Sequence, residues 1–104
     1  MSLRISGKNI SIGQALRERI DVRIADATAK YFRGGYSGHV TVGRDGFNFH
    51  TECVLHLDSG TLLESCGVAA DAYDSADLAA AHIEKRLRRY KRLRKDRKTT
   101  AKRR

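Results

Sequence analysis

The chain has 104 residues, the size of one domain around a single core, and its 40% hydrophobic and 32% charged residues suit a soluble globular protein rather than a disordered or membrane-embedded one. No apolar run is long enough to span a bilayer, and the first ten residues lack the apolar block of a signal peptide, so a cytoplasmic protein is expected. The net charge of +9 is unevenly placed: residues 82–104 hold 13 of the 21 Lys and Arg against Glu84 and Asp96, whereas residues 1–81 hold eight against ten acids.

Charge gathered on one element makes a directional field that can seat a phosphate backbone, so nucleic acid is the expected partner. The two cysteines, Cys53 and Cys66, have neither the spacing of a metal or redox site nor the number for a disulfide framework. Both are expected to be reduced core residues.

In chain order, Leu3 and Ile5 alternate with Arg4 and Ser6, which reads as a strand ended by Gly7. From Ser11 the pattern changes to a helix, with Leu16, Ile20, Ile24, Ala27 and Tyr31 on one stripe and Gly34 and Gly35 as the stop. Residues 39–44 alternate around Val40 and Val42. Asp45 and Gly46 then form a tight-turn pair, and Phe47, Phe49, Thr51, Cys53, Leu55 and Leu57 keep period two. A second turn at Asp58, Ser59 and Gly60 leads to a strand over 61–68. Pairing Leu57 with Leu62 across it sets Cys53 opposite Cys66.

Tyr73, Ala76, Ala80, Ile83, Leu87 and Tyr90 then mark a long second helix, with Asp71 or Asp74 placed to cap it. The order β-α-β-β-β-α predicts an α+β two-layer sandwich, a four-stranded sheet with both helices on one face and the other face wet. Residues 98–104 contain no large apolar side chain and are expected to leave the domain, 1–97, as a flexible basic tail.

Rotating 100° per residue from Ile83 points Lys85, Arg88, Arg89 and Arg92 away from the core and sets Arg86 and Lys91 on the flanks. So dense a run of like charge destabilises an isolated helix unless a polyanion neutralises it. A merely solvated helix face normally mixes both signs, so phosphate binding is the favoured reading. Arg19, Arg23 and Lys30 fall on one flank of the first helix, with Asp26 between them; a basic groove between the helices and scattered surface charge are equally compatible with that. His39, His50, His56 and His82 lack metal-ligand spacing, and His82 lies near the basic face. Tyr73 fits the core stripe, yet its hydroxyl can also turn outward to a phosphate or base. No paired acids, phosphate-binding glycine loop or activated nucleophile appears, so neither an enzyme nor a cofactor is expected.

Three segments carry a family resemblance that covers nearly the whole chain: LRISGKNISIGQALRERI from Leu3, CVLHLDSG from Cys53, and DAYDSADLAAAHIEKRLRRYK from Asp71. In these, the chain resembles the ribosome hibernation promoting factor and ribosome-associated inhibitor (protein Y) family. The resemblance implies a β-α-β-β-β-α fold similar to double-stranded RNA-binding domains. It also implies binding in the decoding region of the small ribosomal subunit, where messenger and transfer RNA are blocked and translation is silenced.

The family's basic position on the first helix matches Arg23, and its second-helix signature matches Asp71, Tyr73, Lys85, Arg86, Arg89 and Lys91. Asp26 stands where the family usually has a lysine, and His82 replaces another. The expected RNA-binding set is therefore Arg19, Arg23, Lys30, Asp71, Tyr73, His82, Lys85, Arg86, Arg88, Arg89, Lys91 and Arg92. The expected partners are ribosomal RNA and the small subunit, with no membrane and no small-molecule substrate. A generic binder of double-stranded nucleic acid is the alternative. Long family members continue into a small dimerising domain, so the chain is either a short form or a fragment of a long one.

Overall fold

The computed structural model describes residues 2–8, 10–32 and 34–102, with side chains over 3–93 of these. Its elements are β1 (Ser2–Lys8), α1 (Gln14–Tyr31), β2 (Tyr36–Asp45), β3 (Asn48–Leu57), β4 (Leu62–Ala69) and α2 (Ala72–Lys102). The order β-α-β-β-β-α is as predicted, although α1 begins at Gln14 rather than Ser11, β1 and β2 are longer than the alternation alone indicated, and β3 and β4 each begin one residue later. The sheet order is β1-β2-β3-β4. Since β1 pairs parallel with β2, the chain needs a crossover between them, which α1 supplies; the two later pairings are antiparallel and need only hairpins.

One sheet face is apolar and the other wet. Ile5, Val40, Val42, Cys53, Leu55 and Leu57 meet Leu16, Ile20, Ile24 and Ala27 of α1 and Ala76, Ala80, Ile83 and Leu87 of α2 in a single core. Small residues let α2 approach the sheet closely. At Gly67 an added Cβ would lie 2.6 Å from the Ser75 carbonyl oxygen and the Ala79 nitrogen, so the helix rests on bare strand backbone. Two hydroxyls fasten the contact: Ser65 Oγ donates to the Ala79 carbonyl and Ser75 Oγ to the Gly67 carbonyl, both at 2.8 Å. Thr51 Oγ1 lies 2.8 Å from Ser75 Oγ, and no buried side-chain polar atom among the described residues lacks a partner.

Two turns depart from the expected register. The β2–β3 loop is Gly46-Phe47, because Asp45 pairs with Asn48, so Phe47 stands at the tip rather than inside the strand. Between β3 and β4 the loop has three residues, 58–60, closed by Gly60 N–H donating to Leu57 O and Leu57 N–H donating to Thr61 O. Gly60 takes φ +94°, the left-handed residue that such a loop requires. Leu57 thus faces Thr61 instead of Leu62, and the one-residue slip turns every β4 side chain over. Cys53 pairs with Ser65 and Cys66 with Glu52. The expected Cys53–Cys66 adjacency is therefore incorrect: Cys53 is in the core, Cys66 is exposed on the wet face, and both are free thiols.

Candidate nucleic-acid interface

The α2 helix is set at its start by Asp71, whose Oδ1 accepts the Tyr73 N–H at 3.4 Å while its carbonyl accepts the Ser75 N–H. The capping residue is thus Asp71 rather than Asp74. At the other end of the sheet, Tyr90 fixes the helix to the β3–β4 turn, its hydroxyl 2.6 Å from Ser59 Oγ and its ring tilted against Phe32. The helical backbone runs on to Lys102, so the boundary drawn at residue 97 does not coincide with the helix end. The side chains of 94–102, and Arg103 and Arg104, lie outside the described residues. At 1.5 Å per residue, α2 is about 46 Å long against about 27 Å for α1, so its last part extends past the sheet as an arm.

Because Ile83 and Leu87 are fully buried, the intervening and following bases are turned outward. Lys85, Arg86, Arg88, Arg89, Lys91 and Arg92 are all exposed, and none forms an ion pair among the described residues. This is a continuous cationic face with no ion-paired counter-charge among the described residues.

The groove between the helices is different. The helices run in the same direction, since Arg19 and Arg23 meet Asp77, Lys30 meets Glu84 and Phe32 meets Tyr90. Arg19 grips Asp77 with two hydrogen bonds, of 3.0 and 2.6 Å, while Arg23 lies 3.8 Å from the same carboxylate and Lys30 3.8 Å from Glu84. Hydrogen bonding to the Arg19 guanidinium holds the Asp77 carboxyl below its ordinary range; burial opposes it, and the charges of Arg19 and Arg23 add to the lowering. The same bond raises Arg19 above its ordinary value. The groove does collect Arg19, Arg23 and Lys30, but beside acids of the neighbouring helix. Asp77 and Glu84 are the residues the sequence reading missed. Their signal was a seven-residue spacing that puts both on the flank facing α1.

Tyr73 leaves the core stripe. It is 37% exposed, and the Arg19 guanidinium lies 5.7 Å from its ring centroid. His82 sits on the opposite flank, over β4, its Nδ1 2.7 Å from the Cys66 carbonyl oxygen, so it is not part of the interhelical groove. Among the described residues no group of three His, Cys, Asp or Glu could hold a metal, and no helix is long and apolar enough to cross a membrane.

A β-α-β-β-β-α sandwich with an unneutralised basic helix defines a class of small α+β domains, and comparison with known proteins narrows it. The chain belongs to the Sigma 54 modulation protein / S30EA ribosomal protein family, whose model matches residues 3–95. It is 58% identical over 97 residues to a ribosome hibernation promotion factor of Bradyrhizobium diazoefficiens, covering 93% of this chain and 48% of that protein. A second such factor, from Rhizobium meliloti, is 50% identical over 96 residues, covering 92% of this chain and 50% of that one. The chain thus spans about half the length of these relatives.

The fold is shared with the N-terminal domain of Thermus thermophilus Protein Y, at a TM-score of 0.78 and 24% identity, covering 86% of this chain and 99% of that one. A ribosomal subunit interface protein from Coxiella burnetii superposes at a TM-score of 0.76 and 19% identity, over 88% of this chain and 98% of that one.

Proposed function

We propose that this chain is a ribosome-binding domain that silences translation by occupying the decoding region of the small subunit, where messenger and transfer RNA would otherwise sit. The observation that carries the reading is the outward face of α2, where six exposed Lys and Arg have no ion-pair partner among the described residues. Phosphates are the natural counter-ions for such a face: each contact releases condensed cations, and the whole is sensitive to salt. The names of the relatives, ribosome hibernation promotion factor and ribosomal subunit interface protein, support the ribosome as the partner.

On this reading the protein works in the cytoplasm by occupancy and performs no chemistry. Lys85, Arg86, Arg88, Arg89, Lys91 and Arg92 are the principal rRNA contacts. Asp71 and Tyr73 lie at the near end of the same helix. Arg19, Arg23 and Lys30 contribute only as phosphates displace Asp77 and Glu84, and His82 lies at the margin.

The test is co-sedimentation with purified small subunits in the presence of excess free duplex RNA. A ribosome-specific domain stays with the subunits and lowers translation in a purified system. Equal partition onto free duplex would instead identify a generic double-stranded nucleic-acid binder, and no binding to either would remove the reading.

A further inference from the structure

The β2–β3 hairpin presents an aromatic ring to water at the end of the molecule opposite the arm of α2. Phe47 is 96% exposed, far beyond any other large apolar side chain described. The hairpin outreaches its neighbours: the last pair of β1 is Lys8 with Gly43, and the last pair of β4 is Ala69 with Phe49. Asp45 and Asn48 therefore pair only with each other, and Gly46 and Phe47 stand beyond them. Gly46, at φ +62°, permits this tight two-residue turn, so the position of Phe47 is held by the ladder beneath it. One pair further in, the Arg44 guanidinium lies 5.6 Å from the Phe49 ring centroid.

A ring placed this way gives nothing to the core. An aromatic that anchors a protein interface normally sits within a close-packed surround that excludes water. Here the described neighbours Asp45, Gly46 and Asn48 are all exposed and contribute no apolar surface. Stacking on a nucleobase asks for less, namely one fixed ring with open faces and a cation nearby for the adjoining phosphate.

We propose that Phe47 is a stacking platform for an unpaired nucleobase, with Arg44 meeting the neighbouring phosphate. The inference deepens the RNA-binding reading above and rests on it. It adds a contact of another kind, because stacking depends little on salt whereas the α2 face depends on it steeply. It also states what the RNA must offer. The tip lies near the start of α2, and Lys85 to Arg92 lie 13 to 20 residues along it, about 20 to 30 Å away. The partner is then a folded RNA that displays an unstacked base at that distance from a phosphate ridge.

The chain contains no tryptophan, so Phe47→Trp installs a single indole at the tip. Its emission is followed during titration with purified small subunits, beside the affinities of the parent, Phe47→Leu and Phe47→Ala. The expected result is saturable quenching of the indole at parental affinity, with the Leu and Ala variants about tenfold weaker at every salt concentration and unchanged in salt slope. Phe47→Leu separates stacking from mere apolarity, since leucine keeps the hydrophobic surface and loses the ring. Parental affinity in the Leu variant, or indole emission that shifts to the blue without quenching, would overturn the proposal while leaving the RNA-binding reading intact. Failure of the parent itself to bind the subunits would overturn both.

Discussion

The interhelical groove and the outer face of α2 are both rich in bases, yet they are electrostatically unlike. In the groove Arg19, Arg23 and Lys30 lie against Asp77 and Glu84, so a phosphate entering there must displace a carboxylate already in place. On the outer face, the exposed bases from Lys85 to Arg92 have no ion-pair partner among the described residues. Their mutual repulsion is a standing cost that a polyanion removes on binding. The difference teaches that a basic residue counts toward binding only after its internal partner is known.

The comparison breaks first if the outer face is reversed. Lys85→Glu, Arg89→Glu and Arg92→Glu together should leave the fold unchanged, because all three side chains are exposed. Affinity for small subunits should fall at least about a hundredfold at low salt, and the deficit should shrink as salt rises, since each lost phosphate contact lowers the slope by up to about one unit. A triple variant that co-sediments like the parent would show that this face is not the binding surface. The core control is Leu87→Ala on the same helix. Leu87 is fully buried, and a cavity there should cost roughly 2 to 5 kcal/mol of stability by urea unfolding. Its binding should fail only where the protein unfolds.

A smaller change sharpens the contrast by making the groove resemble the outer face. Asp77→Asn with Glu84→Gln removes the carboxylates and leaves Arg19, Arg23 and Lys30 without them. Affinity for subunits should rise severalfold and the salt slope should steepen, by up to about one unit for each freed base that reaches a phosphate. An unchanged slope would mean that the groove does not face RNA.

The same carboxylate predicts a pH effect. The Asp77 carboxyl is held low by its bond to Arg19, so its contribution to stability is complete above the unfolded-state value and is lost as pH falls through the folded one. The urea midpoints of the parent and Asp77→Asn should differ at neutral pH and converge below roughly pH 4.

The β-α-β-β-β-α order was legible because periods of two and of three to four residues are local, and so was the direction of Lys85, Arg89 and Arg92, which follows from Ile83 by rotation alone. What escaped required knowledge of a neighbour. The pairing of Arg19 with Asp77 joins residues 58 apart and depends on two helices lying parallel. Tyr73 sits where the period expects a core residue, yet Arg19 covers its ring at the groove. Phe47 continues the alternation of β3 without a break, and only the turn geometry at Gly46 removes it from the strand. The β3–β4 register depended on whether the loop holds three residues or four, which Asp58, Ser59 and Gly60 permit equally.

That last ambiguity gives the mildest test, one that leaves folding and binding untouched. With Cys53 opposite Ser65, the two thiols lie on opposite sheet faces and differ in reactivity. Burial pushes the Cys53 thiol up to about 12, outweighing a hydrogen bond with Ser65 that acts the other way, so almost no thiolate forms there at neutral pH. Cys66 is open to solvent. A chromogenic disulfide reagent should therefore titrate one fast thiol in the native protein and two after denaturation, and Cys66→Ser should abolish the fast phase. Two equally slow thiols would return Cys66 to the core and restore the Leu57–Leu62 register. They would also turn Leu62 and Val68 inward, although both stand about half exposed on the wet face.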